Sequence, residues 1–254
     1  MFISKYKILR NEHMLFYIAH CPYDEQSRRI LNICLTAIQK HYPEADTVVL
    51  YSESNLELQV DASHHVRVEK SPIPNSSVVG CFKHYLDSGE QRKAIFMHDS
   101  IILKGRFREE RLAAPFGFIW EFKQYSDLKS IECKDIRETV FQHLMEYPDL
   151  EWLGCFGCCL FSTRENLQTL WSLIDFPSYA AHPERGKALM DLERVIGIYS
   201  YAAGLQPVAL CGSIFTAPRA FERWYTDQTL EDIEAIPYEE AAIKAWMNRF
   251  IRET

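Results

Sequence analysis

Three polar residues interrupt an apolar stretch near the middle of the chain. His98, Asp99 and Ser100 follow the apolar run 94–97 and lead directly into a second run, 101–103. A buried polar group costs free energy unless it has a hydrogen-bond partner, so this triplet needs a local reason. A carboxylate beside an imidazole and a hydroxyl suits a phosphate-bound metal ion or a sugar hydroxyl. The sequence therefore predicts a ligand site at this triplet.

Two residues of the triplet also have a structural interpretation. An acid at a strand end often caps a turn, and a histidine there is often a core residue whose hydrogen bonds are satisfied. We expect Asp99 to be functional, because acids seldom interrupt buried runs without a cause. For His98 both interpretations stay open, as ligand or as core residue.

Further candidates follow the first two apolar runs of the chain. His20 comes directly after the first run, and Ser52 and Glu53 come after the second. Ligands gather at the carboxyl ends of strands in open α/β sheets, so we expect these three residues to reach a base or ribose, with solvated turns as the alternative. Lys83, on the helix predicted before the triplet, is a candidate for phosphate contact or else an ordinary solvated lysine.

The elements that must position these candidates alternate between strand and helix. Strands are predicted at 14–19, 47–51, 66–69 and 94–97, and helices at 24–42 and 76–88. Pro43 and Gly89 end the two helices. A strand–helix–strand unit predicts parallel strands, and residues 14–103 therefore form a Rossmann-like, nucleotide-binding half.

Residues 104–215 are predicted to form a second half of the chain. Its predicted elements are an aromatic strand or wall at 116–122, strands at 152–161 and 208–211, and helices at 134–147, after Ser162, and at 187–203. A helical segment, 216–254, is predicted to end in a helix from about Tyr238 that carries Ile243 on its apolar side. The whole chain, 1–254, is thus predicted to be one α/β domain with a mostly parallel central sheet flanked by helices.

Composition narrows the range of partners. The formal net charge is −7 and no basic block of five residues occurs, which argues against nucleic acid as a partner. We find neither a secretory signal pattern nor an apolar stretch of about 18 residues, so no integral membrane segment is expected. The 8 cysteines lie mostly inside apolar runs, as reduced thiols do, and predict a cytoplasmic protein.

Two motif classes are weak or missing. Cys155 and Cys158 have the spacing of a zinc or redox pair, but no second pair or HxxxH follows, and we expect them to pack in the core. Neither GxGxxG nor GxxxxGK[ST] occurs, which removes the main support for NAD-binding and P-loop interpretations.

Taken in order, these segments resemble a glycosyltransferase of the GT-A fold. Residues 16–23 resemble the family's opening β-α unit, 48–53 its second strand, 94–100 its DxD strand, and 192–194 its later acidic element near the acceptor. The resemblance covers about residues 14–215 and implies a nucleoside-diphosphate sugar as donor and a hydroxyl group as acceptor, with residues 104–215 as the acceptor half. It also implies a divalent cation, Mn²⁺ or Mg²⁺, held by the DxD carboxylates against the donor diphosphate.

The DxD motif is incomplete in this chain. Only Asp99 is acidic, so His98 is the predicted second metal ligand, with Ser100 as a further oxygen. Mn²⁺ accepts an imidazole nitrogen more readily than Mg²⁺ does. A metal-free variant, in which Lys83, Lys104 or Arg106 neutralises the phosphates, stays open.

The resemblance places a catalytic carboxylate on the helix around residue 193. In an inverting transferase it removes the acceptor's proton while the bond to the anomeric carbon forms. Glu193 and Asp191 are both candidates, but residues two apart do not share a helix face, so only one faces the cleft. Phe118 and Trp120 are either sugar-stacking rings or core.

The predicted function is glycosyl transfer from a nucleotide sugar to a hydroxyl group of a glycan or small molecule. A nucleotidyltransferase is the first alternative, although His20 is followed by no glycine-rich loop. A non-catalytic module that binds sugar nucleotides is the second, because a fold alone does not guarantee chemistry.

Overall fold

The structure is a computed structural model. It describes residues 14–21, 25–52, 65–123, 128–147, 149–216, 229–235 and 241–244. In these parts of the chain no helix is both long and apolar enough to cross a membrane.

Strands and helices alternate through the first half, as predicted, and the strands become shorter and less regular in the second. The strands are β1 (Leu15–His20), β2 (Asp46–Tyr51), β3 (Val66–Lys70), β4 (Ala94–His98), β5 (Ile101–Leu103), β6 (Phe116–Phe118), β7 (Glu121–Phe122), β8 (Gly154–Cys155), β9 (Leu160–Ser162), β10 (Val208–Ala209) and β11 (Ala242–Lys244). The helices are α1 (Glu25–His41), α2 (Ser77–Asp87), α3 (Glu109–Leu112), α4 (Lys134–Leu144), α5 (Arg164–Leu173), α6 (Phe176–Ala181), α7 (Arg185–Ala202) and α8 (Leu230–Glu234).

The central sheet has seven strands in the order β10-β6-β9-β4-β1-β2-β3. Strands β3, β2, β1 and β4 are mutually parallel, which confirms the predicted strand–helix–strand units. Strand β9 runs antiparallel to both β4 and β6, so β6 and its partner β10 point the same way as β4. The α/β class with a mostly parallel sheet flanked by helices is therefore confirmed.

Strand β1 shows why a central strand of the sheet is almost entirely apolar. All six of its residues are buried, because helices cover both faces of the sheet. Tyr17 and Ala19 pack in the cluster that includes Phe82 of α2, whereas Phe16 and Ile18 pack with Leu31 of α1. Side chains alternate between the two faces along a strand. His20, the last residue of β1, therefore lies on the face that α1 covers, and His98, the last residue of β4, lies on the face that α2 covers.

Two predicted elements differ from the structure. The stretch 152–161 is not one strand: β8 and β9 are separated by a 3₁₀ turn at Phe156–Cys158, where Gly157 has a φ of 64° that glycine adopts without strain. The terminal helix predicted through Ile243 is wrong at Ala242–Lys244, which is strand β11, antiparallel to β5. The short α8 is the described helix within the segment predicted as helical, and Tyr238 lies outside the described residues.

A glycine brings α7 into direct contact with the backbone before β8. A Cβ atom on Gly197 would lie 2.2 Å from the carbonyl oxygen of Leu153, so a larger residue does not fit. This close approach fixes α7 against β8 and the 3₁₀ turn, and thus fixes the position of the acidic residues on α7.

Candidate functional site

The predicted site residues gather at one edge of the central sheet. His20, Ser52 and Asp99 come at or just after the carboxyl ends of β1, β2 and β4. Because these strands are parallel neighbours, their ends meet at the same edge. Strand β9 begins at this edge and β6 ends there, so Gly157 and Trp120 are brought to it from the second half of the chain.

A buried ion-pair geometry joins the ends of β1 and β4. His20 Nδ1 lies 2.6 Å from Asp99 Oδ2, and the two residues are 0% and 4% exposed. The backbone N–H of Asp99 donates to the carbonyl of Ala19 at 3.1 Å, which continues the ladder beyond β4 and holds the carboxylate beside the imidazole. His20 Nε2 is buried and has no hydrogen-bond partner in the described part of the chain. A buried polar atom of this kind requires a ligand or a water molecule to complete it.

His98 lies on the opposite face of the sheet from this pair. Its Nε2 is 2.7 Å from the carbonyl oxygen of Gly157, in the 3₁₀ turn before β9. The ring borders a cavity of about 10 Å³ that Cys81, Phe82 and Cys158 also line. A cavity of that size holds about one water molecule and is too small for a sugar or phosphate group.

A cluster of small polar side chains lies at the ends of β1 and β2. Cys21 Sγ is 3.5 Å from the hydroxyl oxygen of Ser52 and 3.7 Å from that of Ser77, the first residue of α2. The Ser76 hydroxyl accepts a hydrogen bond from the N–H of Val79 and caps the helix. The positive end of the α2 dipole therefore faces this edge of the sheet, beside Ser52. Sequence reasoning did not select Cys21 as a site residue.

Three other predicted binding residues have different surroundings. Ser100 is buried directly after Asp99, at 4% exposure. The Lys83 ammonium is 2.5 Å from both carboxylate oxygens of Asp87, one turn further along α2. Lys83 therefore forms a helix-surface ion pair, and the structure does not bring it to the strand ends. Glu53 lies outside the described residues.

The surroundings of Asp191 are those of a structural residue and not of a catalytic base. It is fully buried, and its two carboxylate oxygens accept hydrogen bonds from the backbone N–H groups of Glu132 at 2.9 Å and Cys133 at 2.8 Å. These amides lead into the first turn of α4, whose positive dipole end also favours the negative charge. Burial and the Asp191 carboxylate raise the pKa of the Cys133 thiol to about 12. The prediction that Asp191 acts as a base does not fit this geometry, since the carboxylate is fully buried and is held by two backbone amides.

Glu193 faces the part of the structure that contacts His98. It is partly buried on α7, which packs against β8 and the 3₁₀ turn. Burial raises the pKa of the Cys155 and Cys158 thiols well above the usual range, and the negative charge of Glu193 contributes to both shifts. The carboxylate of Glu193 is therefore near these two thiols, and Cys158 borders the same small cavity as His98.

The structure adds a carboxylate that sequence reasoning missed. Glu121 directly follows Trp120, begins β7 and pairs through its backbone with Cys155 in β8. It is partly buried, and this burial raises the pKa of its carboxyl group above 4.5, with Arg111 acting in the opposite direction. An acid at a strand end in an otherwise aromatic segment was the available signal, but the segment was interpreted as wall.

The aromatic residues considered as sugar-stacking platforms belong to the core. Phe118 is 1% exposed and Trp120 is 0% exposed. The Trp120 ring meets Phe156 edge-on at a centroid distance of 6.5 Å, and its Nε1–H has no partner among the described residues. Neither ring has a face open to a sugar.

Among the residues that the structure describes, no divalent cation site is formed. Across the described ranges, no group of three or more histidine, cysteine, aspartate or glutamate residues is arranged to hold a metal ion. His98 and Asp99, the two predicted ligands, have separate partners on opposite faces of the sheet. Cys155 and Cys158 are free, buried thiols that pack in the core, as expected from their sequence context.

Comparisons with known proteins give distant structural similarities. No protein-family model and no curated protein matches the chain. The chain is similar to 4-diphosphocytidyl-2C-methyl-D-erythritol synthase, with 14% identity and a TM-score of 0.37 over 80% of this chain and 89% of that one. It is similar to the mannosyltransferase Ktr4p from S. cerevisiae in complex with GDP, with 9% identity and a TM-score of 0.42 over 78% and 68%.

A third similar structure is the galactosyltransferase LgtC in complex with donor and acceptor sugar analogues, with 10% identity and a TM-score of 0.40 over 92% of this chain and 88% of that one. Structural similarity to glycosyltransferases, predicted from the sequence, is thus found, without a DxD motif. TM-scores this low do not assign an activity, so the functional proposal depends on the strand order and on the residues at the sheet edge.

Proposed function

We propose that this chain is a glycosyltransferase that moves a sugar from a nucleoside-diphosphate donor to a hydroxyl acceptor. The observation that carries the proposal is the buried His20–Asp99 pair at the carboxyl ends of β1 and β4, with His20 Nε2 lacking a partner among the described residues. A hydroxyl or N–H group of a nucleotide sugar would complete this hydrogen bond. The resemblance in element order supports the same edge as the position of the donor.

The surroundings of the pair support a donor with phosphate groups. The edge formed by β3, β2, β1 and β4 is the usual position of ligands in open parallel sheets. The start of α2, located at this edge by the contact between Ser77 and Cys21, offers the positive end of a helix dipole. Neutralising charge on the departing diphosphate is a main source of catalysis in such a transfer.

The catalytic base is proposed to be one of two partly buried carboxylates in the second half of the chain. Glu193 is the residue that the resemblance selects, and Glu121 is the one whose pKa burial raises. A base is most effective when its pKa approaches the working pH, which supports Glu121, whereas Glu193 is supported by the resemblance alone. Asp191 is left out, because backbone amides occupy its carboxylate.

Donor binding is tested by thermal unfolding of the full chain with UDP-, GDP-, CDP- and dTDP-sugars. A donor at about one hundred times its Kd adds about 2.7 kcal/mol to the free energy of unfolding, which raises the melting temperature by several degrees. We expect His20→Gln to weaken the shift and Lys134→Ala to leave it unchanged. Lys134 is a matched control because its side chain is 80% exposed on α4, in a pair with Glu138.

Chemistry is tested separately by release of the nucleoside diphosphate from whichever donor binds. Release that depends on a hydroxyl acceptor supports the proposal, and loss of release in Glu193→Gln or Glu121→Gln identifies the base. The absence of a thermal shift with every donor contradicts the proposal. Pyrophosphate release from a nucleoside triphosphate points instead to a nucleotidyltransferase, and binding without transfer or hydrolysis points to a binding module.

A further inference from the structure

The two residues at the DxD position leave the end of β4 in opposite directions. Asp99 meets His20 on the sheet face that α1 covers, whereas His98 meets Gly157 on the face that α2 covers. This separation follows from the alternation of side chains along a strand. Ligands of one cation must converge on a single point at about 2.0–2.6 Å. His98 and Asp99 therefore do not act on the same ion.

The hydrogen bonds of both residues also oppose metal binding. His98 Nε2 lies 2.7 Å from a carbonyl oxygen, which only accepts, so this nitrogen carries the proton and has no lone pair for a metal. Asp99 Oδ2 is taken by the Nδ1–H of His20 at 2.6 Å. The carboxylate that the family uses for a cation is thus turned inward onto an imidazole.

The Asp99 hydrogen bond determines what His20 offers to a ligand. In the tautomer whose Nδ1–H donates to this carboxylate, the lone pair of the imidazole lies on Nε2. That atom is buried and without a partner among the described residues. It is an acceptor at the carboxyl end of β1, held in one orientation from the neighbouring strand.

We propose that Asp99 acts on the donor through His20, as a positioning residue, and that nucleoside-diphosphate binding at this edge requires no divalent cation. The inference rests on the proposed function, since it concerns the same donor. It replaces the predicted ligand pair, His98 and Asp99, with a carboxylate–imidazole pair whose free nitrogen accepts a hydrogen bond from the nucleotide.

Calorimetric titration of the full chain with UDP and GDP tests the metal requirement. Each nucleotide is titrated in excess EDTA and in excess Mn²⁺, and we expect the two Kd values for a nucleotide to agree within about twofold. A Kd that is at least about tenfold tighter in Mn²⁺, with that gain lost in Asp99→Asn, would overturn the inference while leaving the proposed function intact. If neither nucleotide binds in either buffer, the proposed function fails and the inference with it.

A double-mutant cycle in EDTA tests whether Asp99 acts through His20. We expect Asp99→Ala to weaken nucleotide binding about tenfold in the wild-type background and not at all in the His20→Gln background, because the imidazole it positions is then missing. Losses that simply add would contradict the inference. Asp99→Asn keeps an oxygen acceptor for Nδ1–H and should recover part of the affinity, which also covers the case in which Asp99→Ala does not fold.

A second histidine–aspartate pair provides the control. Asp135 Oδ2 lies 3.2 Å from His182 Nε2 on the surface of α4, with the Asp135 side chain 72% exposed. Asp135→Asn makes the same chemical change away from the sheet edge. We expect it to leave both Kd values unchanged, and an equal loss of affinity in this variant would count against a specific role for Asp99.

Discussion

Replacement of Asp191 separates a structural carboxylate from a catalytic one. A hydrogen bond to a charged group contributes about 1.5–3 kcal/mol, and Asp191 accepts two such bonds from the backbone of Glu132 and Cys133. Asp191→Ala removes both and leaves the backbone N–H groups of Glu132 and Cys133 unpaired, so we expect a loss of about 3–5 kcal/mol in the free energy of unfolding. Asp191→Asn retains one acceptor oxygen but turns an NH₂ group towards the second amide, and the expected loss is about 2 kcal/mol.

Urea and thermal unfolding measure this effect directly. For a chain of 254 residues, about 2 kcal/mol corresponds to a fall of roughly 4–8 °C in the melting temperature of Asp191→Asn. Donor binding and turnover per folded molecule should stay close to wild type below that temperature. Glu193→Gln, on the same helix and partly exposed, is the matched control and should cost less than about 1 kcal/mol. An Asp191→Asn variant that melts with the wild type yet loses turnover would refute a structural role.

Three further outcomes are expected from other contacts. Gly197→Ala should destabilise the chain by about 1–3 kcal/mol despite the better helix propensity of alanine, because its Cβ would meet the Leu153 carbonyl at 2.2 Å; thermal melts measure this loss. Glu121→Gln should raise the melting temperature at pH 7, where the native state carries the cost of a partly buried carboxylate. This gain should disappear as the pH falls below 4.5. The carboxyl group is then protonated in the unfolded state as well as in the native state, so folding no longer buries a charge. Arg92→Ala should be destabilising at pH 7 and nearly neutral near pH 2. The 2.7 Å pair between Arg92 and Glu90 lowers the pKa of the Glu90 carboxyl to about 2, so the pair stops contributing to stability as the pH falls through that value. Thermal melts of both variants, Glu121→Gln and Arg92→Ala, across this pH range test the two predictions.

The first half of the fold could be predicted because its signals are local. The apolar run 14–19 became β1, and the helix that was predicted to end before Pro43 became α1, with bounds one or two residues away. Continuous apolar runs with intervening amphipathic helices permit few arrangements other than parallel strands covered on both faces. The strand-end positions of His20, Ser52 and Asp99 follow from the same pattern.

The partners of these residues could not be predicted, because they depend on contacts between distant parts of the chain. His20 and Asp99 are 79 residues apart, and their pairing depends on β1 and β4 being neighbours in one register. Asp191 meets the start of α4 from 58 residues away. The alternation of side chains along a strand could have predicted that His98 and Asp99 point to opposite faces of the sheet. This requires only that the strand predicted at 94–97 continue into the polar triplet.

The second half was harder because its strands are only two or three residues long. The run 152–161 contains enough apolar residues for one strand, yet Gly157 and Cys158 both have a positive φ and divide it. In strands this short, turn geometry and close approaches such as the one at Gly197 decide the structure, and neither leaves a periodic pattern in the sequence.

The uneven exposure of the cysteines makes the sheet edge directly observable in solution. Seven of the eight thiols are buried, and only Cys21, between Ser52 and Ser77, is partly exposed. A maleimide dye added to the native chain should therefore attach first at this one position, whereas attachment elsewhere must wait for the fold to open. A fluorophore on Cys21 would lie beside the nucleotide proposed to bind at this edge. Nucleotide binding should therefore slow the labelling of Cys21.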